Sequence, residues 1–306
     1  MKKTSLIKAT KIMIVSLILF FLIKTLINSW DQVSMYSFKI NYTLLILAII
    51  TICISYISAA IGWIYTIKKL KQDLSIKKGL SIFFKAQISR YIPGTIWSYI
   101  GRVYLSKKEN IPKTITSISL VLEAIFLLST SAIISFLALF SYLKSNEISN
   151  YPLYFIIAAI PLILLHPTIL NFLINKLLKL LKKQETNIKI RYLDLLKIFS
   201  IYILRGILLG MGFVIFTNSI YPINIANWPL LFGASLLSWV IGYLFVIAPG
   251  GMGVKEAVIA FLLKPIMPIG ISIIIALGSR ILLILGEITA FGLIKVYNTY
   301  SEKKTL

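Results

Sequence analysis

The sequence predicts an all-α, polytopic membrane protein with about six full spans and two re-entrant helical hairpins, or seven to eight hydrophobic segments by other counts. Three observations carry this. Charged residues make up 14% of the chain, against roughly 25% in soluble domains. Runs such as Tyr42–Ile67, Ile115–Leu143 and Ile269–Leu293 reach the length of about 20 residues that a hydrocarbon core of about 30 Å requires. The basic residues are also grouped. With the N-terminus in the cytoplasm, 25 of the 32 Lys and Arg fall on the cytoplasmic side of the spans, as the positive-inside rule expects.

Lys2, Lys3, Lys8 and Lys11 precede the apolar run Ile12–Ile23. The pattern imitates a secretory signal. Asn28-Ser29-Trp30 is not a small-x-small cleavage site, however, and further spans follow, so the run reads as the first helix. Span two returns at Lys68, and eleven Lys and Arg lie from there to Lys113. Span three covers about 114–143, span four about 151–173 and span five about 198–220. A last span ends near Leu293 and leaves the C-terminus in the cytoplasm. The chain, 1–306, reads as one integral membrane domain with halves at about 42–143 and 151–294. Trp30, Tyr36, Tyr42, Tyr151, Tyr221 and Trp228 fall at predicted outer ends and read as an interfacial belt.

Two segments do not fit as spans. Residues 79–106 have lysines on both flanks, so both ends lie in the cytoplasm, and Pro93-Gly94 breaks the middle. Each arm of about 13 residues reaches only about 20 Å as a helix. Residues 228–265 repeat this form from the opposite face: Trp228–Ala248 carries no charge, and Pro249-Gly250-Gly251-Met252-Gly253-Val254-Lys255-Glu256 follows. Non-helical backbone at membrane depth is tolerated only where protein or water encloses it. Glu123 comes 30 residues after Pro93, and Arg280 comes 31 after Pro249. That spacing predicts an inverted-topology repeat, whose broken helices build substrate sites near the midplane.

The chemistry lies in ionisable groups at depth: Arg90, Arg102, Glu123, Arg205, Lys255, Glu256, Arg280 and Glu287. A charge at a helix centre costs about 2.5–3.5 kcal/mol on insertion scales, so each needs a partner or solvent. In the structural interpretation, Glu123 pairs with Arg280 and the others reach the interface. In the functional one, five cations against three anions leave room for a bound anion. The Pro-Gly-Gly-Met-Gly run also frees N–H groups at the start of a half-helix, whose dipole favours negative charge. Gly251 and Gly253 permit close approach there. An anionic lipid headgroup is the expected occupant, and Glu123 and Arg280, equivalent in the repeat, are expected to approach each other.

Other function classes find no support. His166 has no partners for a metal site, Cys53 is the single cysteine, and there is no Walker loop and no nucleophile–base set. The net charge of +22 is assigned to attraction by the inner leaflet and not to nucleic acid. The sequence therefore predicts a transporter-like protein with no metal and no cofactor. An enzyme acting on a lipid phosphate is the remaining chemical alternative.

Arg90-Tyr91-Ile92-Pro93-Gly94, Gly101-Arg102, Glu123 and the run Pro249–Glu256 resemble the lysylphosphatidylglycerol synthase transmembrane (flippase-like) family over nearly the whole chain. The resemblance implies re-entrant helices in two inverted halves. It also implies a membrane domain that, in the best-known members, flips aminoacylated phosphatidylglycerol. Shorter stand-alone members are associated with glycolipid or polyprenyl-phosphate handling. Larger members carry a soluble aminoacyl-transferase domain after the membrane domain. This sequence ends at Leu306, so lysyl-lipid synthesis is not expected of it. Position by position, the resemblance implicates Arg90, Pro93, Gly94, Arg102, Glu123, Pro249, Gly250, Gly251, Gly253, Lys255 and Glu256. Arg205 and Arg280 come from the argument on charge at depth. The expected function is movement of an anionic phospholipid, polyprenyl-phosphate lipid or glycolipid between leaflets of the inner membrane. The second expectation is a non-transporting accessory that binds a lipid-linked sugar and serves a membrane glycosyltransferase in cell-envelope polysaccharide or glycolipid synthesis.

Overall fold

The computed structural model describes residues 16, 18, 20–89, 97–145, 168, 170, 172, 191–245 and 249–303. Among these residues there is no strand. Residues 20–28 are helical, and nine helices follow: α1 (Trp30–Ser34), α2 (Tyr42–Lys69), α3 (Ile76–Ile88), α4 (Trp97–Lys108), α5 (Lys113–Ser145), α6 (Tyr192–Ile220), α7 (Trp228–Leu244), α8 (Val254–Leu263) and α9 (Ile269–Lys303). The remainder of the predicted first span, nearly all of span four and the Arg90–Gly94 break lie outside the described residues.

The expected spans at 42–67, 114–143, 198–220 and the C-terminal end correspond to α2, α5, α6 and α9, each long and apolar enough to cross a membrane. Local signals account for their ends. Lys68 and Lys69 occupy the last turn of α2, where the helix dipole favours cations. The chain then turns at Lys71 with φ 61°. Ser75 caps α3 by accepting a bond from the Lys78 N–H at 3.4 Å. Asn110, with φ 62°, ends the α4 segment, and the Pro112 carbonyl opens the hydrogen-bond ladder of α5 by accepting from the Thr116 N–H at 3.1 Å. Hydroxyl groups inside the apolar helices bond back to carbonyls one turn earlier. Thr66 donates to the Gly62 carbonyl and Thr130 to the Phe126 carbonyl, both at 2.8 Å. In lipid such groups need an internal partner.

Both expected hairpins are present as helix pairs. In the first, Lys78 of α3 reaches Glu109, just past α4, at 2.7 Å. Nearer the break, a Cβ on Gly101 would lie 3.3 Å from the Ala86 Cβ. The arms therefore run antiparallel, with the open end at Lys78 and Glu109. The second hairpin is unequal, with 17 residues in α7 and 10 in α8. With the 3₁₀ turn Ile225–Asn227 before it, α7 alone is long and apolar enough to cross.

The described residues fall into two compact units. One comprises those within Ile52–Ile133, Pro152–Leu208 and Gly286–Leu306, and so contains the α3–α4 hairpin. Its core is aromatic: Trp63, Phe83, Phe84, Phe126 and Tyr202 are fully buried, and the Phe126 and Tyr202 rings stack at 5.8 Å. Gly286 of α9 lies against Ile52 of α2 with no room for a Cβ. The other unit comprises those within Met1–Thr51, Ile134–Tyr151 and Leu209–Leu285, and so contains the α7–α8 hairpin. Here Ser135 of α5 donates to the Gly233 carbonyl of α7 at 2.9 Å. The Asn41 N–H, just before α2, donates to the Ser219 carbonyl of α6 at 2.8 Å.

Candidate functional site

In the α3–α4 unit, the second turn of α4 places Arg102 against Glu123 of α5, and the Nη1–Oε2 ion pair has both side chains 5% exposed. The guanidinium lies against two rings, with its Cζ 4.0 Å from the Phe83 centroid and 5.3 Å from that of Trp63. Such contacts strengthen where water is excluded. Trp63 is held in turn, because its Nε1 donates to the Ser119 hydroxyl at 3.0 Å. That hydroxyl donates to the Thr116 carbonyl at 2.7 Å. Arg205 of α6 donates to the Ser131 hydroxyl at 3.2 Å, and its charge acts on Glu123 as well. Arg102, Glu123 and Arg205 are all buried. The Arg102 Nε has no hydrogen-bond partner among the described residues.

In the α7–α8 unit, the break is a 3₁₀ turn, Pro249–Gly251. Gly250, Gly251 and Gly253 hold φ of 62°, 71° and 81°. L-residues with a Cβ resist this left-handed region. Gly253 is the N-cap of α8 and offers no capping side chain. Glu256 lies in the first turn, where an acidic group complements the dipole. Arg280 of α9 donates to its Oε1 at 2.8 Å, with the arginine side chain 32% exposed and the glutamate 4%. The other carboxylate oxygen, Oε2, is buried without a hydrogen-bond partner among the described residues. A Cβ at Gly250 would sit 3.9 Å from the Arg280 Nη2, so Gly250 leaves that edge of the guanidinium uncrowded. The Lys255 Nζ lies 5.9 Å from the Trp239 ring centroid.

The expected pairing of Glu123 with Arg280 is corrected. Each is paired within its own unit: Glu123 with Arg102, 21 residues earlier, and Arg280 with Glu256, 24 residues earlier. The physical reason is proximity along the chain. A hairpin arm and the helix after it are joined by a short connection, which brings their side chains together at little entropic cost. Of the five cations counted in the sequence, Arg102 and Arg280 have carboxylate partners. Arg90, Pro93 and Gly94 lie outside the described residues. Sequence reasoning missed Trp63, Phe83, Ser131 and Trp239, since an aromatic or hydroxyl group in an apolar run carries no distinguishing pattern. Gly242 was missed for the same reason.

Each unit joins its helix pair to the next long helix through one ion pair: Arg102–Glu123, with both side chains buried, and Arg280–Glu256, with only the glutamate buried. With five helices of spanning length and charges buried among them, the chain is a multi-pass, all-α membrane protein. Residues 8–287 match the family model described as the lysylphosphatidylglycerol synthase TM region, and the chain belongs to that family. No curated protein matches the chain.

Proposed function

We propose that the chain is a lipid translocator of the inner membrane, with both termini in the cytoplasm, and not an enzyme. Its substrate is an anionic phospholipid, a polyprenyl-phosphate lipid or a glycolipid. The observation that carries this reading is a pair of charge-swapped latches. In the first hairpin the cation, Arg102, is on the hairpin arm and the anion, Glu123, on the next helix; in the second the anion, Glu256, is on the arm and the cation, Arg280, on the next helix. Membership of a family named for lipid synthesis supports a lipid substrate. The basic cytoplasmic segments would add inner-leaflet attraction, worth about 1 kcal/mol per residue near the surface.

The mechanism follows from what it costs to open a latch. Removing one partner of a buried pair costs about 3–5 kcal/mol, because the other charge is left without compensation. Replacing the carboxylate by a headgroup phosphate avoids most of that cost. Arg280 is the group placed for this exchange, since its side chain is 32% exposed while that of Arg102 is 5%.

The test is reconstitution with fluorescently labelled phosphatidylglycerol and a reductant that quenches only the outer leaflet. The wild-type protein is expected to expose the inner-leaflet label, and Arg280→Gln to slow that exposure about tenfold, the equivalent of roughly 1.4 kcal/mol. Binding of the labelled lipid without exposure of the inner pool would favour the accessory role beside a glycosyltransferase. Absence of both binding and exposure would overturn the lipid reading.

A further inference from the structure

We propose that Gly242 is a positioning residue: with Gly251 it forms a slot in the α7–α8 hairpin that fixes the Lys255 side chain and holds its ammonium beside Trp239. The three atoms nearest a Cβ at Gly242 all belong to Lys255, namely Cγ, Cε at 2.7 Å and Cδ at 3.1 Å. From the other side, a Cβ at Gly251 would meet the Lys255 Cε at 2.8 Å and the Gly242 carbonyl oxygen at 2.8 Å. Both glycines are buried. The aliphatic stem therefore runs through a trough whose walls are backbone, and Nζ emerges 5.9 Å from the Trp239 centroid.

The slot has a physical purpose. A lysine in an apolar helix ordinarily bends its stem until the ammonium reaches the interface. A stem clamped along its length cannot do so, and its charge stays at the first turn of α8. This rests on the reading above in giving Lys255 an anionic headgroup to serve, but the slot itself is tested without lipid. Glycine has no helix-forming advantage at position 242, in the last turn of the 17-residue α7, because alanine is the better helix former. The clash with Lys255 is what makes glycine the fitting residue there.

That reasoning predicts a reversal of sign. Gly242→Ala should lower the thermal midpoint of the detergent-solubilised protein in the wild-type background and leave it unchanged or raise it in Lys255→Ala. An equal loss in both backgrounds would overturn the proposal, because the alanine would then be clashing with something other than the lysine. If Gly242→Ala does not accumulate, recovery in the double variant supports the slot, and failure of both overturns it. A second readout is the rate at which a small amine-reactive ester modifies Lys255, followed by mass spectrometry with Lys264 as internal reference. Release from the slot should speed modification by about threefold or more in Gly242→Ala. An unchanged rate overturns the proposal. Binding of labelled phosphatidylglycerol then separates the two ideas: if modification speeds up but Lys255→Ala binds the lipid as the wild type does, the slot stands and the headgroup role of Lys255 fails.

Discussion

A carboxylate buried in an apolar helix is tolerated only with its counter-charge, and Glu123 shows what that requires. Arg102 supplies the charge, Phe83 and Trp63 supply surfaces for the guanidinium, and Ser119 orients Trp63. Glu123→Gln is therefore expected to destabilise the protein by about 3–5 kcal/mol, since it leaves Arg102 without its partner in a dry site. Adding Arg102→Met should restore most of the loss. Thermal unfolding of the solubilised single and double variants measures it, and simple additivity would show that the two residues do not act as a unit. The ionisable residues themselves were legible in the sequence, because charge in an apolar run stands out. Their partners were not. An equal spacing from two proline breaks suggested Glu123 with Arg280, but spacing reports equivalence in a repeat and not contact.

Among the elements, the α7–α8 turn is the most demanding piece of backbone. Gly250 and Gly251 both hold positive φ, which costs an L-residue roughly 1–2 kcal/mol at either position. They differ in surroundings. A Cβ on Gly250 meets nothing closer than 3.9 Å, whereas one on Gly251 lands 2.8 Å from the Gly242 carbonyl oxygen. Overpacking of that kind adds about 1–3 kcal/mol. Gly251→Ala should thus lower the thermal midpoint clearly more than Gly250→Ala, and the reverse order would contradict this turn geometry. Pro-Gly-Gly announced the break because proline and glycine are rare inside helices for known steric reasons. The unequal arms were not announced. Trp228–Ala248 has a uniform apolar composition, and nothing in it marks where helix gives way to turn.

For the molecule as a whole, the distribution of Lys and Arg makes one prediction about orientation. On a Cys53→Ala background, single cysteines at Asp73, Lys107 and Thr299 should all react with a membrane-impermeant thiol reagent from the cytoplasmic side. All three native residues are exposed, and Asp73 and Lys107 lie near the open end of the α3–α4 hairpin, where Lys78 meets Glu109. Ser106, inside α4, is unsuitable because it is fully buried. Reaction of Asp73→Cys and Lys107→Cys from opposite sides would mean that this segment crosses the membrane once and does not return, against the hairpin whose ends meet at Lys78 and Glu109.

The amino-acid sequence by itself determined the helical membrane class, the long apolar helices and the two broken segments. These follow from local quantities: hydrophobic length against bilayer thickness, and backbone restrictions at proline and glycine. It also singled out the residues that now form the two ion pairs. Only the tertiary structure decided who pairs with whom. It seated Arg102 against Phe83 and Trp63, bonded the buried Arg205 to Ser131, and left the Arg280 side chain 32% exposed beside Gly250. It also turned Gly242 from an unremarkable helix residue into one wall of a lysine slot. Pairing and close approach depend on which faces of distant helices meet. Side-chain identity along one chain does not encode that until the helices are packed, because an apolar face satisfies its local preferences equally well against many neighbours.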